Sequence, residues 1–255
     1  MNRLKMIFMG RKTYGARMLR WSADQGIEVA AVCTEPGEAG SPVAAAAEKM
    51  NIPVMDMEGA ERLVSEGGID LVVSYLYGEK IKGALLDAPP LGCVNFHPAI
   101  LPDWRGTGGY NIAILKKLPQ WGATAHYVDE AIDTGPIIRV YKFDFDYRIE
   151  TALTLEKKTQ SIQMDLYRSV MLDIMRKGRL SCEPQAEKDG VYVSRKEMNE
   201  MKRIDPDRDD IDLKIRAFWF PPYDGAFIEV DGKKYTLVNR EILESVAGDM
   251  SKYEL

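Results

Sequence analysis

Apolar and polar positions change period repeatedly along the first half of the chain. Leu4 to Gly10 (LKMIFMG) is a short apolar run closed by glycine, the pattern of a buried strand. Tyr14 to Gly26 then repeats apolar residues at helical spacing through Ala16, Leu19 and Ala23. Ile27 to Thr34 predicts a second strand, Ser41 to Asn51 a helix with Pro42 near its start, and Ile52 to Asp56 a third strand. Met57 to Gly68 predicts a helix, and Ile69 to Tyr77 (IDLVVSYLY) a fourth, apolar strand. Short buried strands alternating with helices predict a parallel sheet covered on both faces.

Further along, Asn95-Phe96-His97 ends another strand-like run, and a loop rich in Pro, Arg and Gly follows. A helix is predicted over Gly109 to Lys117, and strands over Ala123 to Asp129 and Pro136 to Phe145. Thr151 to Lys177 contains neither Gly nor Pro and sets Leu155, Ile162, Leu166, Val170 and Ile174 near one face, which predicts one long helix. Asp205 to Asp210 (DPDRDD) reads as a charged linker. Lys214 to Asn239 predicts a turn and a hairpin, with Asp231-Gly232 as the tight turn.

Composition narrows the function classes. The chain has 255 residues, 45% apolar and 29% charged, which is ordinary for a globular protein. No apolar run reaches the length of a membrane span, and the N-terminus lacks the pattern of a signal peptide. Cys33, Cys93 and Cys182 are too scattered for a disulfide framework or a zinc site, and they fit a reducing cytoplasm. A net charge of -5 argues against a broad nucleic-acid surface. Gly10, Gly15 and Gly26 do not form the dinucleotide fingerprint G-x-G-x-x-G.

The chemistry gathers between residues 91 and 138. Residues two apart on a strand face the same way, so Asn95 and His97 project together at a strand end, where open α/β sheets place their ligands. Taken singly, a strand-end Asn and His more often tie down the next loop. Asp133, before Thr134-Gly135-Pro136, more often just organises a turn. Together, N-F-H-P-x-x-L-P-x-W-R-G and H-Y-V-D-E-A-I-D-T-G-P-I-I resemble the 10-formyltetrahydrofolate-dependent formyltransferase family, with a similar spacing between the blocks. The strands IFMG, IPV and DLVVSYLYG are similar to that family's sheet, and the resemblance covers residues 4 to 175.

The resemblance implies an α/β fold: a Rossmann-like formyltransferase core with a mostly parallel sheet over residues 1–180, then a linker and a small C-terminal β-hairpin module over 181–255. It implies transfer of a formyl group from N10-formyltetrahydrofolate, as co-substrate, to an amine, with no metal. Asn95, His97 and Asp133 match the family's catalytic set. Asn95 would donate an amide N–H to the oxygen that gains charge when the amine attacks. His97 would donate a second hydrogen bond, best as imidazolium, a form favoured by Asp133 nearby. Asp133 would also carry the amine's proton towards the leaving folate nitrogen. Tyr77, Gly78, Glu79, Lys80 and Ile81, with Asp129, Glu130, Ala131 and Ile132, match the folate pocket, and Trp104 and Arg105 match the loop beside the acceptor. The continuation Gly106-Thr107-Gly108-Gly109-Tyr110 departs from the family's usual small-residue and Pro pattern. His126 is expected to be structural and Cys93 to be a packed residue.

The acceptor is read from layout. Lys214 to Phe227 (KIRAFWFPPYDGAF) resembles the opening of the C-terminal domain of methionyl-tRNA formyltransferases, but the remainder is short and not basic. That layout is similar to the sugar N-formyltransferases, which implies a nucleotide-linked amino sugar as substrate, no nucleic-acid or membrane partner, and a homodimer as an open question. The alternatives are a methionyl-tRNA formyltransferase-like enzyme and a non-catalytic folate-binding protein of the same fold.

Overall fold

The computed structural model describes residues 3–34, 41–185 and 191–250. The first elements are β1 (Lys5–Gly10), α1 (Lys12–Asp24), β2 (Glu28–Cys33), α2 (Pro42–Lys49), β3 (Val54–Met55), α3 (Met57–Ser65) and β4 (Leu71–Tyr75). Then come α4 (Ala84–Asp87), β5 (Cys93–His97), β6 (Trp104–Gly106), α5 (Gly109–Leu115), β7 (Gln120–Tyr127), β8 (Ile137–Asp144) and α6 (Ala152–Lys177). The remainder is β9 (Val191–Val193), α7 (Arg195–Met201), α8 (Ile211–Phe218), β10 (Phe227–Val230), β11 (Lys233–Thr236) and α9 (Arg240–Met250).

Seven strands form one sheet in the order β3-β2-β1-β4-β5-β7-β8. The first five are parallel, because each connection crosses over and returns the chain to the same edge. β7 reverses direction against β5. Along β1 the side chains alternate between two cores: Met6 and Phe8 join one, Ile7 and Met9 the other. The first core includes Leu19 of α1 and Leu166, Tyr167 and Val170 of α6, and the second includes Ala60 and Val64 of α3. Burial on both faces is why the strand runs are apolar throughout rather than alternating.

Two compact units result. One comprises Met1–Arg105, Gly122–Lys142 and Thr159–Val191; the other Gly106–Trp121, Phe143–Lys158 and Tyr192–Leu255. In the second unit α5 meets α8, and Asn111 donates from Nδ2 to the Ala217 carbonyl at 2.7 Å. The sequence reading fails here at one point. Lys214 to Phe218, expected to lead into a turn, is helical. Asp210, the last residue of the charged stretch, caps that helix by accepting from the Leu213 amide at 3.0 Å, and Leu213, Ile215, Ala217 and Phe218 are buried. The helix stops before Pro221-Pro222, which cannot extend it. The expected hairpin is present: β10 and β11 pair antiparallel around Asp231 (φ 50) and Gly232 (φ 73), the left-handed pair that a tight two-residue turn requires.

Candidate active site

β5 carries Asn95, Phe96 and His97. Phe96 points into the core with Tyr75 and Tyr167, so Asn95 and His97 take the opposite face. In the antiparallel register of β5 and β7, Asn95 stands opposite His126 and His97 opposite Thr124. Asn95 Nδ2 lies 3.1 Å from His126 Nε2. Thr124 holds the chain leaving His97: its hydroxyl donates to the Ala99 carbonyl at 2.7 Å and accepts from the Leu101 amide at 3.1 Å. From behind the strand, Gln163 of α6 donates to the Phe96 carbonyl.

β7 ends beside the start of β5, where the Val128 amide donates to the Cys93 carbonyl at 2.8 Å. The chain then turns back. Asp129 organises the turn by accepting from the Ala131 amide at 3.2 Å and the Thr134 hydroxyl at 2.6 Å. Asp133 adopts the left-handed conformation (φ 56), uncommon for a residue with a side chain. Gly135 passes so close to β7 that a Cβ there would lie 1.9 Å from the Tyr127 carbonyl oxygen. This path delivers the Asp133 carboxylate to the strand-end groups. Oδ1 lies 3.4 Å from Asn95 Nδ2 and 3.5 Å from His126 Nε2, and Oδ2 lies 3.4 Å from His97 Nδ1. The side chains of His97 and Asp133 are only 7% and 10% exposed.

The partners fix the proton positions. His126 Nδ1 lies 2.7 Å from the Tyr127 carbonyl, which can only accept, so Nδ1 carries hydrogen and Nε2 faces the Asn95 amide. His97 Nε2 lies 3.0 Å from the Trp104 carbonyl and donates to it by the same logic, leaving Nδ1 turned towards Asp133. Burial of the His97 ring pushes its pKa below the ordinary 6.5. The Asp133 carboxylate and the Trp104 carbonyl pull the other way, and His126 adds to the lowering. The expectation of an imidazolium is thereby corrected: desolvation of the ring outweighs the neighbouring carboxylate. A neutral ring presents the Nδ1 lone pair to a carboxyl oxygen, an arrangement that can take up one proton and share it.

The other sequence-predicted residues lie as follows. Tyr77 donates from its hydroxyl to Glu79 at 3.2 Å and accepts from the Cys33 thiol at 3.6 Å, while Ile81 is buried in the second core. Burial raises Cys33 to about 11 and pushes Cys93 up as well, so both thiols stay protonated and packed at neutral pH. Ile132 is 49% exposed directly before Asp133. Arg105 is half-buried: Nη2 donates to Gln185 Oε1 at 3.1 Å, while its buried Nε has no partner. His126 and Gln185 enter the site without having been picked out by sequence. The one cue for His126 was its place on a strand that could pair with Asn95. Among the described residues, no group of three or more His, Cys, Asp or Glu side chains could hold a metal, and no helix is long and apolar enough to cross a membrane.

A half-buried amide, two buried imidazoles and a carboxylate gathered at the end of β5 fit, with this sheet, an α/β group-transfer enzyme. The chain belongs to the formyl transferase family, whose model, described as "Formyl transferase", matches residues 4–171. It is 32% identical over 242 residues to the methionyl-tRNA formyltransferase of Methylobacterium sp. (strain 4-46), covering 89% of this chain and 77% of that protein. Solved structures of the same fold include a 4-N formyltransferase from Francisella tularensis (TM-score 0.80, 22% identity, 92% of this chain and 97% of that one). Another is the N-formyltransferase from Helicobacter canadensis in complex with folinic acid and dTDP-3-aminofucose (TM-score 0.74, 22% identity, 91% of this chain and 86% of that one). The chain is therefore an N10-formyltetrahydrofolate-dependent formyl transfer enzyme, with the formyl-folate as co-substrate.

Proposed function

We propose that this enzyme formylates the amine of a small acceptor, a nucleotide-linked amino sugar, with Asn95, His97 and Asp133 as its catalytic groups. The observation that carries the catalytic part is the Asp133 carboxylate, within 3.5 Å of Asn95, His97 and His126. Both Asn95 Nδ2 hydrogens have partners, His126 at 3.1 Å and Asp133 at 3.4 Å. The longer contact is the weaker, so that hydrogen turns to the oxygen gaining charge as the amine attacks. A donor of this kind contributes about 2.7–4 kcal/mol to the transition state. The neutral His97 ring and Asp133 together take the proton lost by the amine and return it to the departing folate nitrogen. Tyr77 to Ile81 and Asp129 to Ile132 hold the heterocycle, largely through backbone groups.

Trp104 and Arg105 face the acceptor. A single half-buried guanidinium with a free Nε suits one small anionic group better than a nucleic-acid backbone. The net charge of -5 favours the same choice. A second reading is methionyl-tRNA, favoured by the name of the curated relative at 32% identity. The test is formyl mass gain and tetrahydrofolate release with 10-formyltetrahydrofolate and, in parallel, a panel of nucleotide-linked amino sugars and charged initiator tRNA. Formylation of a sugar, with no release in the absence of an amine, is expected. Efficient formylation of the tRNA alone would replace the sugar reading with the second.

A further inference from the structure

Gln185 lies outside every motif that marks the family resemblance, yet its side chain bridges both loops of the site. Nε2 donates to the Asp133 carbonyl at 2.9 Å and to the Gly135 carbonyl at 2.7 Å, while Oε1 accepts from Arg105 Nη2 at 3.1 Å. Two carbonyls can only accept and a guanidinium can only donate, so these partners admit one orientation of the amide. The segment bearing Gln185 is itself anchored: Ile137 and Glu183 exchange backbone hydrogen bonds, each of 2.8 Å. Asp133 sits in the left-handed region, a conformation that persists when its surroundings over-determine it. The turn is fixed on one side by Gly135 against the Tyr127 carbonyl and on the other by the Gln185 amide.

We propose that Gln185 is a positioning residue for formyl transfer: its amide clamps the Asp133–Gly135 turn and ties Arg105 to it, so the group facing the acceptor and the proton-handling carboxylate keep one geometry. This rests on the proposed role of Asp133. The amide side chain is needed for both halves of the clamp. A carboxylate in its place would still accept from Arg105 but would have no hydrogen for the two carbonyls.

The test compares Gln185→Glu, Gln185→Met, Asp133→Asn and the double variant Gln185→Glu/Asp133→Asn, in the full chain, by steady-state formylation of an amino-sugar acceptor and by thermal midpoint. Gln185→Glu is expected to lower kcat about 100-fold, the loss expected from displacing a catalytic group by an ångström, with KM for the formyl-folate within twofold and the thermal midpoint near that of the parent. Gln185→Met, which lacks donor and acceptor, is expected to lose kcat and to raise KM for the acceptor as well. In the Asp133→Asn background Gln185→Glu should cost less than threefold more, because it acts through Asp133. Parent-like kcat in both Gln185 variants, or an equal 100-fold loss with and without the Asp133 carboxylate, overturns the proposal. Parent-like activity of Asp133→Asn alone overturns the catalytic reading beneath it, and the proposal with it.

Discussion

His126 faces Asn95 across the antiparallel pair of β5 and β7, with its Nε2 3.1 Å from the Asn95 amide nitrogen and its Nδ1 held by the Tyr127 carbonyl. The ring fixes the rotation of the one side chain proposed to meet the developing charge. His126→Ala removes that acceptor and leaves a half-buried amide hydrogen without its partner, a change worth roughly 1–3 kcal/mol. The expected result is a fall in kcat of about 5- to 150-fold, with little change in KM for either substrate. Unchanged kcat in a folded variant would return His126 to a purely structural role.

Asn95→Ala should lower kcat by about 10²–10³, and Asp133→Asn by about 10²–10⁴. Because His97 and Asp133 are proposed to share one proton, their losses should not add. The double variant His97→Ala/Asp133→Asn is expected to lie close to the worse single variant. Rate measurements on the four proteins of the cycle decide this. Losses that sum, with KM rising and kcat held, would mean that these residues only bind.

The pH dependence follows from the His97 ring, whose pKa burial places below 6.5. The folded state prefers the neutral ring, so between the folded value and 6.5 the unfolded chain binds more protons. The ring's contribution to stability is complete above pH 6.5 and is lost as pH falls through the folded pKa. The acid limb of kcat/KM should likewise lie below pH 6.5, as a property of the His97–Asp133 pair. Thermal midpoints and rates from pH 5 to 8, for the parent and for His97→Asn, check both. An acid limb above 6.5 would restore the imidazolium.

How much of this was legible in the sequence differs by element. The strands of the sheet could be read because two-sided burial makes their runs apolar, and α6 because no Gly or Pro interrupts it. Asn95, His97 and Asp133 were singled out through their motifs, and the fold brings the three together. His126 was set aside because its partner lies 31 positions away and only the β5–β7 register brings them together. Gln185 was invisible for a similar reason: a lone glutamine 52 positions from Asp133 carries no local signal. α8 was misread because the run Trp219-Phe220-Pro221-Pro222 marks a turn strongly, which hid the Asp210 cap at the other end of the segment.

Gly135→Ala should be poorly tolerated. The added methyl would lie 1.9 Å from the Tyr127 carbonyl oxygen, a backbone atom that cannot swing aside. The turn or β7 must shift, at a cost of roughly 1–3 kcal/mol. Because Asp133 rides on the same turn, kcat should fall with stability. Denaturant midpoints at constant m, read beside kcat, check this, and a parent-like midpoint would mean that the turn moves freely.

Asn95, His97 and His126 share two adjoining strands, so their mutual spacing is set by the backbone ladder rather than by any loop. Trp104 and Arg105, proposed to meet the acceptor, sit on β6, which pairs with β9 outside that ladder. Exchange of the Trp104 side chain leaves its backbone carbonyl on His97 and every rung of the ladder in place. A descendant of this chain that exchanges side chains there, and keeps that backbone, inherits the reaction while acquiring a different amine to act on.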